Sequence, residues 1–162
     1  MTAKDTIAAY DDGRKGLYMD NANVWFVSVP NADETTMKAV AALINSTVFS
    51  VLAKVDANPQ SGGYFKFNKQ FLAPVPFPSS RLLSESRVRR KLASLHDEIR
   101  QLELRWCGEN PNHRALTGLA LNRKWRRLDD CCARLYGLTE GEIAAVGKVG
   151  RTIDRTQLLP QT

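Results

Sequence analysis

The sequence predicts an α+β fold: a small mixed or antiparallel sheet packed on a helix, then an antiparallel helical hairpin and a short C-terminal helix. Three observations carry this expectation. Short β-branched and aromatic runs, bounded by turn residues, occupy the first thirty positions. Apolar residues then recur at steps of three and four over residues 34–55. From about Ser84 onward, two longer apolar seams follow one another.

In order along the chain, Thr6-Ile7-Ala8-Ala9-Tyr10 reads as a first strand, and Asp11-Asp12-Gly13 as a turn. Asn23 to Val29 reads as a second strand that stops at Pro30. Met37, Val40, Ala41, Ile44, Val48, Val51, Leu52 and Val55 predict one helix over 34–55, with Asn31 or Asp33 as its N-cap. Asn58-Pro59 and Gly62-Gly63 require the helix to end before them.

Residues 56–80 combine a glycine pair, three late prolines and five rings: Tyr64, Phe65, Phe67, Phe71 and Phe77. Rings in that number need burial, so an ordered loop is expected, with most rings in the core and the intervening polar groups outward. Val88, Leu92, Leu95, Ile99, Leu102 and Trp106 predict a long helix. Leu121, Trp125, Leu128, Cys132 and Leu135 predict its partner, with the turn at Gly108–Asn112. Thr139 and Glu142 form a capping box for a last short helix with Ile143 and Val146 on its apolar side. Residues 147–162 read as a fraying tail. The organisation is thus a sheet-plus-helix lobe over 1–80, a helical hairpin region over 81–150 and a flexible tail over 151–162.

Composition excludes several classes. No stretch approaches the roughly 18 apolar residues of a membrane span. The opening MTAKDTIAAYDDG has no continuous apolar core and does not read as a secretory signal, so a cytoplasmic protein is expected. The three cysteines, Cys107, Cys131 and Cys132, are odd in number and two are adjacent, a poor disulfide framework. Cys107 with His113 is an incomplete zinc ligand set. No nucleophile elbow or phosphate loop is present. His96 lies beside the apolar seam, where a surface or boundary role outweighs a catalytic one. Asp11-Asp12 and Asp129-Asp130 read as a turn and a helix surface rather than metal ligands.

Net charge is +6, and its placement is informative. Residues 1–80 hold seven basic and seven acidic side chains, whereas residues 81–162 hold sixteen and ten. A basic half on a neutral half suggests a polyanionic partner, against the plainer reading of a solvated helix face. Double-stranded DNA suits the candidate contacts. In the loop these are Asn58, Gln60, Ser61, Tyr64, Lys66, Asn68, Lys69 and Gln70, which mix short planar amides for base edges with cations for phosphates. On the helices they are Arg87, Arg89 and Arg90, then Arg123, Lys124 and Arg127. Arg87–Lys91 also opposes its own helix dipole, which hints at a use beyond local stability. In an antiparallel hairpin the two basic clusters are not adjacent.

Two segments carry a family resemblance: LINSTVFSVLAKV with GGYFKFNKQFLAPVPFP, and LDDCCARLYGLTEGEI. In that order they resemble the C-terminal specificity region of class I N6-adenine DNA methyltransferases, including the TaqI-like domain and the fused type IIG restriction-modification enzymes. The resemblance spans roughly residues 5–80 and 125–146. It implies a target-recognition role, with the 58–70 loop in a DNA-facing lobe and Ala73–Pro78 as a proline-flanked strand. The family's catalytic motifs, a Gly-rich cofactor loop and Asn-Pro-Pro-Tyr, are missing here. The chain is therefore expected to be non-catalytic alone. S-adenosylmethionine would belong to a separate catalytic domain or subunit, on which this chain docks. The alternative is a structural lobe that docks on such a subunit, or on a second copy of itself, through its helical hairpin.

Overall fold

The computed structural model describes residues 2–14, 26–110 and 113–150. The expected α+β architecture is present: a three-stranded antiparallel sheet and, among the described residues, seven α-helices. The strands are β1 (Thr2–Ala3), β2 (Asn58–Gln60) and β3 (Tyr64–Lys66), in the order β1-β3-β2. The helices are α1 (Glu34–Ile44), α2 (Thr47–Asp56), α3 (Lys69–Leu72), α4 (Ser79–Ser84), α5 (Ser86–Gly108), α6 (Arg114–Tyr136) and α7 (Glu140–Gly150).

The helix expected over 34–55 is two helices bent by 62°. Asp33 caps α1, its carboxylate accepting from the Thr36 N–H at 2.8 Å. Ser46 then caps α2, accepting from the Phe49 N–H at 3.2 Å. Apolar periodicity runs through the break because both helices bury side chains, so it conceals the caps at Asn45-Ser46. No single described helix is long and apolar enough to cross a membrane.

The strands expected in the first thirty residues are displaced. Among the described residues Thr6–Tyr10 has no sheet partner; its main chain bonds to side chains instead. The Thr6 N–H donates to Ser50 Oγ at 3.2 Å. Asn45 accepts from the Ala8 N–H and donates to the Ala8 carbonyl, both at 2.7 Å. The sheet strand is the shorter Thr2–Ala3 just before. Residues 26–29 form no strand, and positions 23–25 lie outside the described residues. Ala73–Pro78 is a turn rather than a strand, since Pro74, Pro76 and Pro78 supply no N–H to a ladder.

The hairpin forms as the seams require. Leu92, Leu95 and Ile99 of α5 bury against Leu121, Leu128, Cys132 and Leu135 of α6. Ala39, Val40, Ala42 and Leu43 of α1 complete this core. A second core joins the sheet to α2: Phe49, Ala53, Ala57, Phe67 and Val75, with Phe65 packed against them. Ile44 and Phe77 touch both cores. Gly137 ends α6 at φ 77°, a left-handed cap only glycine adopts readily. The Thr139–Glu142 capping box starts α7, which continues to Gly150 beyond the point where a tail was expected. Residues 151–162 lie outside the described residues.

Candidate nucleic-acid interface

Within the 58–70 segment, residues 58–66 form a hairpin, and its register sorts the candidate residues. Asn58 opposes Lys66, Pro59 opposes Phe65, and Gln60 opposes Tyr64. Alternation along a strand therefore places Asn58, Gln60, Tyr64 and Lys66 on one face, and Pro59 and Phe65 on the other. On the second face Pro59 is exposed, while Phe65 meets the core, where it stacks with buried Phe67 at 6.3 Å between ring centroids. The first face is open, and all four of its residues are exposed. Pro59 fits because β2 is an edge strand. The turn needs positive φ at both Gly62 (73°) and Gly63 (75°), which the glycine pair supplies.

Tyr64, named among the candidate contacts, is the ring that stands outside the core. It is 43% exposed, whereas Phe65 and Phe71 are half-buried and Phe67 is buried. The Lys4 ammonium lies 5.5 Å from its ring centroid, which adds a cation beside the open face. Lys4 was not legible as a site residue because the strand leading to it is only two residues long. Ser61, Lys69 and Gln70 are exposed, while Asn68 is half-buried before α3. Its carbonyl accepts from the Phe71 and Leu72 N–H groups.

The helical candidates separate into available and engaged cations. Arg87, Arg90, Arg123 and Arg127 are exposed. Arg89 is not a surface group: its guanidinium donates to the Leu83 carbonyl at 2.5 Å and to that of Leu82 at 3.5 Å, at the end of α4. Its position at the start of α5 thus answers to the preceding helix. Lys124 pairs with Glu98 across the hairpin, which holds the Glu98 carboxyl below its usual range. That pair also marks the antiparallel register that the buried seams set. Glu98 lies eleven residues beyond Arg87, so the two basic clusters are about 16 Å apart along the hairpin, as expected.

Two further expectations change. Asp129 is not a free helix-surface group; its carboxylate accepts the Thr47 N–H and hydroxyl at the start of α2, both at 2.7 Å. His96 is buried rather than on the surface, its Nδ1 3.2 Å from Asp97. It lines a cavity of about 210 Å³, along with Ala42, Ile99, Trp125 and Leu128. Among the described residues, no group of three or more His, Cys, Asp or Glu side chains is placed to hold a metal ion. Asp11 and Asp12 act as turn acceptors for the N–H groups of Gly13 and Arg14. Comparison of the chain with protein-family models, curated proteins and solved structures finds no match.

Proposed function

We propose that this chain is a DNA target-recognition module: a C-terminal part or subunit of an N6-adenine DNA methyltransferase or restriction-modification enzyme, cytoplasmic and non-catalytic alone. The observation that supports it most is the open hairpin face. Asn58 and Gln60 present planar amides suited to adenine edges, Lys66 and Lys4 present cations suited to phosphate, and Tyr64 offers a ring for stacking. The rings beneath hold this face rigid, which base readout requires. In this reading S-adenosylmethionine and the reacting groups sit on a catalytic partner.

The test is a titration of labelled duplex DNA with the full chain. Binding should weaken steeply between about 50 and 200 mM salt as counterion release is lost. Lys66→Ala with Lys69→Ala should weaken it further at every salt concentration. Absence of duplex binding at low salt overturns the reading.

A second reading, a protein-docking lobe, draws on Leu116 and Leu119, which are 78% and 57% exposed on α6. A salt-independent dimer in sedimentation, with DNA binding indifferent to the loop lysines, would favour it.

A further inference from the structure

The cations of α6 do more than cluster. At about 100° per residue, Arg123, Arg126, Arg127 and Arg134 all fall on the side turned away from the buried Leu121–Leu128–Cys132 seam. All four are exposed. None makes an ion pair among the described residues. The neighbouring acids are engaged elsewhere: Asp129 with Thr47, Glu98 with Lys124, and Asp97 with Lys38. Among the described residues, Asp130 is the carboxylate of α6 on this face, and Glu98, already paired with Lys124, feels only the field of Arg127.

Helix stability does not account for the arrangement. Arg123 and Arg127 are four residues apart and repel each other. Only Arg134, in the last turn, gains from the helix dipole. All four cations are arginine, whose planar fork matches phosphate bidentately. From Arg123 to Arg134 the helix rises about 16 Å, the rise of four or five phosphates on one strand at about 3.4 Å each. An anionic membrane is the other surface that attracts such a helix. Insertion there needs a continuous apolar face. The apolar seam of α6 is already buried, and its exposed leucines, Leu116 and Leu119, sit together before the arginines begin.

We infer that the outer face of α6 is a phosphate track for one strand of duplex DNA, held by Arg123, Arg126, Arg127 and Arg134. The inference rests on the DNA reading above and deepens it by separating a backbone-holding surface from the base-reading hairpin. It adds Arg134 to the contact set beside the basic cluster over residues 123–127, and removes Arg89 and Lys124.

The test measures duplex affinity against salt for the full chain and for a variant carrying Arg123→Gln, Arg127→Gln and Arg134→Gln. Loss of three phosphate contacts should lower the slope of log affinity against log salt by about 2 to 3. Affinity at low salt should fall on the order of ten- to a hundredfold, equally for unrelated duplex sequences. Thermal unfolding should be unchanged, since these side chains hold nothing in the fold. Arg105→Gln, an exposed arginine on α5, serves as the control. Wild-type binding whose slope is unaltered in the triple variant overturns the track while leaving the DNA reading intact. Wild-type protein that ignores duplex DNA overturns both. Binding to phosphatidylserine vesicles that is lost in the triple variant, with duplex binding unaffected, assigns the arginines to a membrane instead and overturns the track.

Discussion

Asp129 caps a helix from which it is 82 positions distant: both oxygens of its carboxylate accept from Thr47, one from the N–H and one from the hydroxyl. An anion at the start of α2 also favours the helix dipole. This single group ties α6 to the bend between α1 and α2. Asp129→Ala should lower the free energy of unfolding by about 1–3 kcal/mol, because it strands a donor pair that is half-buried. Asp130→Ala, on the exposed side, should change it by less than about 0.5 kcal/mol. Urea denaturation of the two variants checks the contrast.

Gly118 lies inside α6, where alanine would ordinarily gain about 1 kcal/mol in helix propensity. Here a methyl group would stand 2.6 Å from Cζ3 of Trp106 on α5. An indole ring cannot move aside as a flexible chain end does, so overpacking wins. Gly118→Ala should destabilise the protein by about 1–3 kcal/mol. A thermal unfolding midpoint above that of the wild type would contradict it.

Arg89 and Arg87 should behave oppositely. Arg89→Ala removes the donor to the last carbonyls of α4 and should lower stability by about 1–2 kcal/mol, with little change in the salt dependence of DNA binding. Arg87→Ala touches an exposed cation and should leave the unfolding midpoint unchanged within error. Paired melting and binding curves separate the two roles.

The pH profile follows from the placement of the charges. Asp33, held by the Thr36 hydroxyl and N–H, and Glu142, held by the Thr139 N–H and hydroxyl, both lie below their ordinary values. Lys124 lowers Glu98. Partial burial pushes Asp97 up, but Lys38 and His96 outweigh it and the net shift is downward. Depressed carboxylates contribute stability that is present above their unfolded values, near 4, and lost as pH falls through the lower folded ones. Lys38 runs the other way: its bonds to Asp97 and Glu34 raise it from 10.5 to about 12. Its contribution is complete below 10.5 and fades as pH rises through about 12. Denaturant midpoints should therefore be flat near neutrality and fall below about pH 4, with a smaller fall for Asp97→Asn.

Much of this fold can be read along the chain wherever one side of an element is buried and the other is not. The α5 and α6 seams show this, and the Thr139–Glu142 box announces α7 unaided. The signal fails at α1 and α2. Each packs into a core, so the apolar steps never lapse, and the break is marked only by Asn45 and Ser46, polar residues that helices also tolerate. Side-chain function is less legible than helix position. Arg89, Lys124 and Asp129 look like surface charges until their partners, on the preceding helix for Arg89 and far along the chain for the other two, come into view. The loop is the converse case. Alternation between rings and polar groups hinted at two faces, and the strand register sorted them, but the Lys4 ammonium beside Tyr64 follows a strand of only two residues that the pattern does not announce.

Asn45 grips the main chain of Ala8 through both its N–H and its carbonyl, and ignores its side chain. A primary amide that donates and accepts in one plane imitates the edge of a sheet in a single residue. At position 8 that bond forbids proline, and other residues keep it as far as the half-buried site leaves room for their side chains. Position 45 has no such latitude: aspartate would keep the acceptor and lose the donor. The opening segment is thus held from both sides: Asn45 takes the main chain of Ala8, while Asp5 pairs with Lys54 and the Thr6 hydroxyl donates to the Ile44 carbonyl.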